Sequence, residues 1–230
     1  MEPMDLTATI AAIPLFQGLP TPQIEDLTMI VQEQVVRKGQ IIFSEGDDGI
    51  GFYVVLAGRV KVFKLSMDGK EQILHLFGPG EPFGEVPVFS GQKFPASAAT
   101  MEESRILFFP RDSFVALVKK TPEVALNMLA ILSRRLRRFA SLIEDLSLKE
   151  VPARLSAYLL YLKSANRGSQ DLTLDISKAQ LASLLGTIPE TLSRILTKMS
   201  KQGLIQTDGP RIRIMDLEAL QDLAETGGGL

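Results

Sequence analysis

Between residues 35 and 110 the apolar positions come in short runs broken by glycine. Ile41-Ile42-Phe43, Phe52-Tyr53-Val54-Val55-Leu56, Arg59-Val60-Lys61-Val62-Phe63 and Gln72-Ile73-Leu74-His75-Leu76-Phe77 are rich in β-branched and aromatic residues. Gly46-Asp47-Asp48-Gly49, Ala57-Gly58, Asp68-Gly69 and Gly78-Pro79-Gly80 separate or follow them. Strands of this length with turn signals between them predict an antiparallel barrel or sandwich. A short amphipathic helix over residues 20–34 is expected to pack on its end.

The period changes at Thr121-Pro122-Glu123, where an N-cap threonine, a proline at the first helical position and an acid in the first turn open a helix. Ala125, Leu129, Leu132, Leu136, Phe139, Ile143 and Leu146 then recur at alternating steps of four and three. That is the spacing of a coiled-coil seam, extending about 27 Å from Leu129 to Leu146. A helix packed only on its own barrel is the alternative. Arg134, Arg135, Arg137 and Arg138 crowd the stripe and leave it narrow, which suits a partner helix and a parallel homodimer.

Residues 151–230 read as a compact helical unit. A helix over 151–163 is followed by two short helices, a hairpin and a last helix over 216–224, with residues 226–230 expected as a frayed tail. Ser177-Lys178-Ala179-Gln180 is a capping box, with Ile176 and Leu181 as its hydrophobic staple. Gly186 ends that helix, and Thr187-Ile188-Pro189-Glu190 is expected to open the next with a second capping box. Two helices joined by a glycine-containing turn make a helix-turn-helix, whose second helix enters the major groove.

Composition narrows the chemistry. The 230 residues are 45% hydrophobic and 23% charged, a globular balance. There is no cysteine and a single histidine, His75. Disulfides, thiolate zinc sites, a catalytic cysteine and cysteine-held iron–sulfur clusters are therefore excluded. With no Walker A loop, GxGxxG run or GxSxG elbow, no common enzyme constellation is visible. No apolar run reaches about 18 residues, and Glu2 and Asp5 precede any basic residue, unlike a signal peptide. A cytoplasmic protein with no membrane partner is expected.

A net charge of −2 looks wrong for a nucleic-acid partner until it is divided along the chain. Residues 176–213 carry Lys178, Arg194, Lys198, Lys201, Arg211 and Arg213 against Glu190 and Asp208, a local excess on the scale of a phosphate-binding footprint. With Leu192, Ile195, Leu196 and Met199 turned to the core, Glu190, Thr191, Ser193, Arg194, Thr197, Lys198 and Lys201 face outward. Arg194 suits guanine bidentately. Glu190 has two readings, a cap and a base contact, which can alternate. Lys198 and Lys201, with Arg211 and Arg213 of the hairpin wing, suit phosphates. Ser177, Lys178, Thr187 and Pro189 complete the candidate DNA-binding set.

Barrel, long helix and winged helix-turn-helix together resemble the Crp/Fnr superfamily of transcription regulators over almost the whole chain. The stretches that carry the resemblance are Gly39 to Asp47, Tyr53 to Gly58, Pro79-Gly80, Phe83-Gly84-Glu85 and Glu190-Thr191-Leu192-Ser193-Arg194. It implies an α+β fold. An effector-sensing β-barrel of the cyclic-nucleotide-binding, jelly-roll type would span 1–121, a dimerisation helix 122–148, and a winged helix-turn-helix 149–230. It implies a homodimer responsive to a small effector, binding an inverted repeat of double-stranded DNA, with RNA polymerase as a further partner. Glu190, Ser193 and Arg194 resemble the trio of members that read TTGA-type half-sites, while Pro189 stands where several relatives carry arginine. The rival from another class is a cyclic-nucleotide-binding regulatory protein without DNA binding, which would lack a basic reading face.

The resemblance also implies an effector pocket at His75, Phe83, Gly84, Glu85, Ala96, Ser97 and Phe139. In cyclic-AMP-binding members an arginine neutralises the cyclic phosphate, and here Ala96 stands at the expected position. Phe139 and Ala140 stand where those members use a Thr–Ser pair on adenine. Both departures argue against cyclic AMP, since a buried phosphate without its cation costs several kcal/mol, roughly. The missing cysteines remove the iron–sulfur branch. What remains resembles the nitric-oxide-responsive and anaerobic-metabolism (Dnr- or HcpR-like) branches, which introduces haem as a cofactor. His75 is the one histidine available as an iron ligand, with a hydrogen-bonded strand histidine as its alternative. Met128, Met101 and Met67 are the other ligand candidates.

Overall fold

The computed structural model describes residues 6–227; Glu2, Asp5 and the end of the expected tail, residues 228–230, lie outside them. The chain divides into two compact units, one of residues up to Ser66 plus Leu74–Leu136, the other of Met67–Ile73 plus residues from Arg137 onward.

The first unit opens with α1 (Leu6–Ala11), a 3-10 turn (Pro14–Phe16) and α2 (Thr21–Ile30). The helix expected over 20–34 therefore stops early, and Gln32–Val36 is a strand, β1. Then come β2 (Ile41–Phe43), β3 (Gly51–Ala57), β4 (Val60–Leu65), β5 (Glu71–Phe77), β6 (Pro82–Phe83), α3 (Val86–Ser90), β7 (Ser97–Thr100), β8 (Ser104–Pro110), α4 (Arg111–Lys120) and α5 (Pro122–Leu148). Two four-stranded sheets, ordered β1-β8-β3-β6 and β2-β7-β4-β5, make the barrel; the resolved pairings are antiparallel.

β3 shows why its sequence reads as one apolar run rather than an alternation. Successive side chains point to opposite faces, and here both faces are buried. Phe52 and Val54 join Leu107 and Phe109 of β8 in a core shared with α1, α2, α4 and α5. Tyr53 and Val55 join Ile106 and Phe108 in the barrel interior.

α5 carries two apolar stripes. Val124, Met128 and Ile131 are buried in the core of the first unit, and the next step of the same row is Arg135. Leu126, Leu129, Leu136 and Ile143 are 65%, 57%, 70% and 65% exposed, and Ser133, Ala140 and Ser147 lie exposed between them. The open seam is thus 126-129-133-136-140-143-147. Of the expected row, Leu129, Leu136 and Ile143 are on it and Phe139 flanks it at 36% exposure. Leu132 leans on the first unit's core instead, and Leu146 is half-buried. Both rows alternate steps of three and four and share 129, 136 and 143; they differ in phase, the exposed row taking 126, 133, 140 and 147 where the expected one took 125, 132, 139 and 146.

The second unit contains α6 (Val151–Ala165), β9 (Asp171–Thr173), α7 (Lys178–Leu184), α8 (Pro189–Lys201), β10 (Ile205–Asp208), β11 (Arg211–Ile214) and α9 (Leu217–Thr226). β9 extends the expected two-stranded wing to a three-stranded sheet ordered β10-β11-β9. Leu155, Leu159, Leu181, Leu192, Leu196, Met199, Ile212, Ile214 and Leu220 are buried within this unit. No helix among the described residues is long and apolar enough to cross a membrane.

Candidate DNA-reading face and sensor site

Ser177 caps α7. Its hydroxyl accepts the Gln180 amide at 3.2 Å, and the Gln180 side chain accepts the Ser177 amide at 2.9 Å. Ser177 is thereby held by its own helix, while Lys178 beside it is exposed.

The second capping box does not form. α8 begins at Pro189, its N-cap is Ile188, and no side chain closes the cap. The reason lies one turn earlier: the Thr187 amide bonds back to the Ala182 carbonyl at 2.9 Å, finishing α7 in a Schellman-type closure rather than starting α8. Glu190 is consequently exposed and outside any cap, so the base-contact reading is the one its geometry leaves open.

Leu192, Leu196 and Met199 of α8 are buried and Ile195 is half-buried, as expected. Pro189, Glu190, Ser193, Arg194, Thr197, Lys198 and Lys201 are exposed, and Thr191 is half-buried. The Thr197 hydroxyl donates to the Ser193 carbonyl at 2.9 Å, which satisfies it within the helix.

The wing differs from expectation in charge. Register places Gln206, Arg213 and Asp171 in one cross-strand row, and Asp208, Arg211 and Thr173 in the next. Arg213 donates twice to Asp171, at 2.5 Å from Nε and 3.2 Å from Nη2. Those hydrogen bonds hold the Asp171 carboxyl below its ordinary pKa and raise that of Arg213. Arg213, expected as a phosphate contact, carries an exposed ion pair with Asp171, and Arg211 is exposed beside it. Asp171 went unnoticed because it is about 40 residues from Arg213, a separation only β9 pairing removes.

In the first unit Phe83 belongs to a packed set of rings. Phe43 stacks on Phe94 at 3.8 Å between centroids, and Phe83 lies 5.3 Å from Tyr53 and 5.6 Å from Phe77. Burial raises the Tyr53 pKa. Gly84 has φ +72°, and a Cβ there would sit 3.0 Å from the Phe43 ring, so this turn admits glycine alone without strain. Ala96 is buried, and Ser97 accepts the Glu45 amide at 2.9 Å. Phe139 lies in the residues of the second unit.

Glu85 is the buried acid of this site, and its partner was missed in the sequence. Arg135 Nη1 lies 2.7 Å from Glu85 Oε1, with the two side chains only 11% and 7% exposed. The same guanidinium donates to the Pro82 carbonyl and sits 4.7 Å over the Phe77 ring. The signal was available: Arg135 continues the 124-128-131 stripe, and a charge on a buried helical row requires a counter-charge.

His75 is enclosed as well. Its side chain is 6% exposed, Nε2 lies 4.0 Å from Glu81 Oε1, and its ring packs on Phe77 at 4.3 Å. Burial alone would raise the Glu81 pKa, but the His75 ring, the Gly78 amide and the charge of Arg135 lower it on balance. A haem ligand needs a ring nitrogen open to a flat macrocycle against an apolar wall. Here Nε2 is turned toward the Glu81 carboxylate. Met128 and Met101 are buried, and Met67 is fully exposed. No cluster of three metal-binding side chains occurs among the described residues.

The comparisons with known proteins bear on both units. Residues 33–121 match the cyclic nucleotide-binding domain family, and residues 153–223 match the Crp-like helix-turn-helix domain family. The chain belongs to the Crp/Fnr family of DNA-binding transcription regulators. A CRP-like cAMP-activated global transcriptional regulator of Mycobacterium tuberculosis is 31% identical over 92% of this chain and 96% of its own. A cyclic AMP receptor protein of Thermus thermophilus is 32% identical over 92% and 96%. The solved structure of FixK2 from Bradyrhizobium japonicum superposes with a TM-score of 0.73 at 25% identity, covering 84% of this chain and 97% of that one. These relatives are transcription regulators, not enzymes. Within this Crp/Fnr chain, α8 lies inside the stretch matched by the helix-turn-helix family and Glu85 inside the stretch matched by the cyclic nucleotide-binding family.

Proposed function

We propose that this Crp/Fnr regulator acts in the cytoplasm as a homodimer, paired through the exposed row of α5, that binds a TTGA-type inverted repeat under the control of an effector other than cyclic AMP. Pairing two α8 helices with half-sites about one turn apart, roughly 34–36 Å, is how dimeric helix-turn-helix proteins read such repeats. The observation that carries the reading is the exposed face of α8, with Glu190 outside a cap and Ser193 and Arg194 beside it. Arginine reads guanine through O6 and N7, glutamate accepts from cytosine N4, and serine tolerates several edges. Such a face also disfavours a sensor that never meets DNA. RNA polymerase is the further partner whose access the bound dimer would change.

Arg194→Ala is expected to weaken specific binding by about 1–3 kcal/mol and to relax preference at one base pair. Lys201→Ala is expected to weaken binding to all sequences alike, with a shallower salt dependence. Titration by fluorescence anisotropy on the repeat and on single-base variants checks both. Loss of discrimination in the Lys201 variant rather than the Arg194 variant would overturn the assignment of the face.

The two cAMP-linked relatives named above make cyclic AMP the obvious effector, yet three features speak against it here. No arginine occurs between Glu85 and Arg105, Ala96 is buried, and Glu85 is already paired with Arg135. An incoming phosphate would meet a carboxylate with no arginine of the cassette to offset it. Cyclic AMP at millimolar concentration is therefore expected to leave DNA affinity unchanged. A saturable rise in affinity with cyclic AMP would sink this part of the reading. The anaerobic-metabolism branch stays the proposed affiliation, on the Phe94-Pro95-Ala96-Ser97 and Gly186–Arg194 patterns.

A further inference from the structure

The residues Met67–Ile73, from the β4–β5 connection and the start of β5, belong to the second compact unit rather than to the barrel's. What they touch there is the turn of the helix-turn-helix. The Gln72 side-chain amide donates to the carbonyl of Leu184, the last residue of α7, at 3.5 Å, and also to its neighbour's carbonyl, that of Ile73, at 3.1 Å. Gln72 Oε1 closes on Gly186 from the other side: a Cβ built on Gly186 would lie 3.1 Å from it and 2.7 Å from Leu146 Cδ2. Gly186 has φ +66°, so the turn is both left-handed and walled in.

A carbonyl at a helix C-terminus has no partner within the helix and carries the negative end of the dipole. A donor supplied from elsewhere fixes the direction in which the chain leaves that helix. Here the next residues are the turn and α8, so the donor sets where α8 begins. Gln72 lies at the start of β5, whose later residues, from Leu74, belong to the first unit, so the donor is covalently continuous with a barrel strand. We propose that Gln72 is a positioning residue for DNA reading, acting through the Leu184 carbonyl and the Gly186 turn to hold α8 in its reading pose. This rests on the DNA-binding function proposed above.

The test uses the full-length protein, with Gln72→Met, which keeps the length and loses the donor, and Gln72→Glu, which puts an acceptor against the carbonyl. Each is titrated with the TTGA-type repeat and with random DNA, and each is melted. The expected result is about a five- to tenfold loss on the repeat, little change on random DNA for the neutral Met variant, and a melting temperature within about 2 °C of the parent. Amide exchange over residues 184–188 should quicken in both variants. Parent-like affinity for the repeat in both variants, with the parent itself binding well, overturns the inference and leaves the function standing. Equal losses on both DNAs with a large fall in melting temperature overturns it too, because that marks general destabilisation. If the parent itself discriminates no repeat from random DNA, the proposed function fails first.

Discussion

Leu136→Asp is expected to leave each protomer folded while removing both the dimer and high-affinity DNA binding. Leu136 is 70% exposed in the isolated chain, so the substitution costs the monomer almost nothing. In a parallel pair, by contrast, the same position meets its own copy across the seam, and two aspartates would face each other in a desolvated row. Leu126, Leu129 and Ile143 cannot offset that, because Ser133, Ala140 and Ser147 between them contribute little apolar area. Losing the second half-site removes the avidity of two linked reading heads, about 10²–10⁴ in affinity. Sedimentation equilibrium and a DNA titration measure the two consequences. A dimer that survives Leu136→Asp would show that the partner surface is elsewhere.

Arg135→Ala has the largest expected effect on stability. It leaves Glu85 as a buried carboxylate without its cation, a change that costs about 3–5 kcal/mol, or a melting temperature lower by roughly 10 °C. The lost stacking over Phe77 adds to this. The double variant Glu85→Leu, Arg135→Met removes both charges at similar volume and is expected to recover most of the loss, as buried pairs replaced by apolar residues commonly do. Thermal unfolding of the four proteins completes the cycle. A single-variant cost below about 1 kcal/mol would mean that the pair opens to water in solution. Since Arg135 is on the long helix and Glu85 follows β6, the same pair ties the sensor segment to the helix proposed to carry the dimer.

How legible all this was depends on the range of the interaction. Turn glycines, the first capping box and the period change at Thr121 are local, and each was readable from neighbouring residues. The second capping box also looked local, yet Thr187 was already used: its amide closes α7, because Gly186 turns the chain left-handed there. Competition between two valid local motifs is settled only by the backbone path. The apolar row on α5 was ambiguous in another way. Apolar spacing of three and four fits two rows on the same helix, and spacing carries no information about which row the barrel covers.

The sequence by itself therefore determined the glycine-broken strands of the first half, the long helix, the helix-turn-helix that follows it, the family resemblance and the residues exposed on α8, since period, caps and turn chemistry act over a few residues. It also excluded every chemistry that needs cysteine. Tertiary structure alone decided the pairings: Glu85 with Arg135, Asp171 with Arg213, Gln72 with the Leu184 carbonyl, and which α5 row is left open. Each joins groups separated by 42 to 112 positions in the chain. A charge or a donor advertises that it needs a partner, but the fold chooses which one comes within reach.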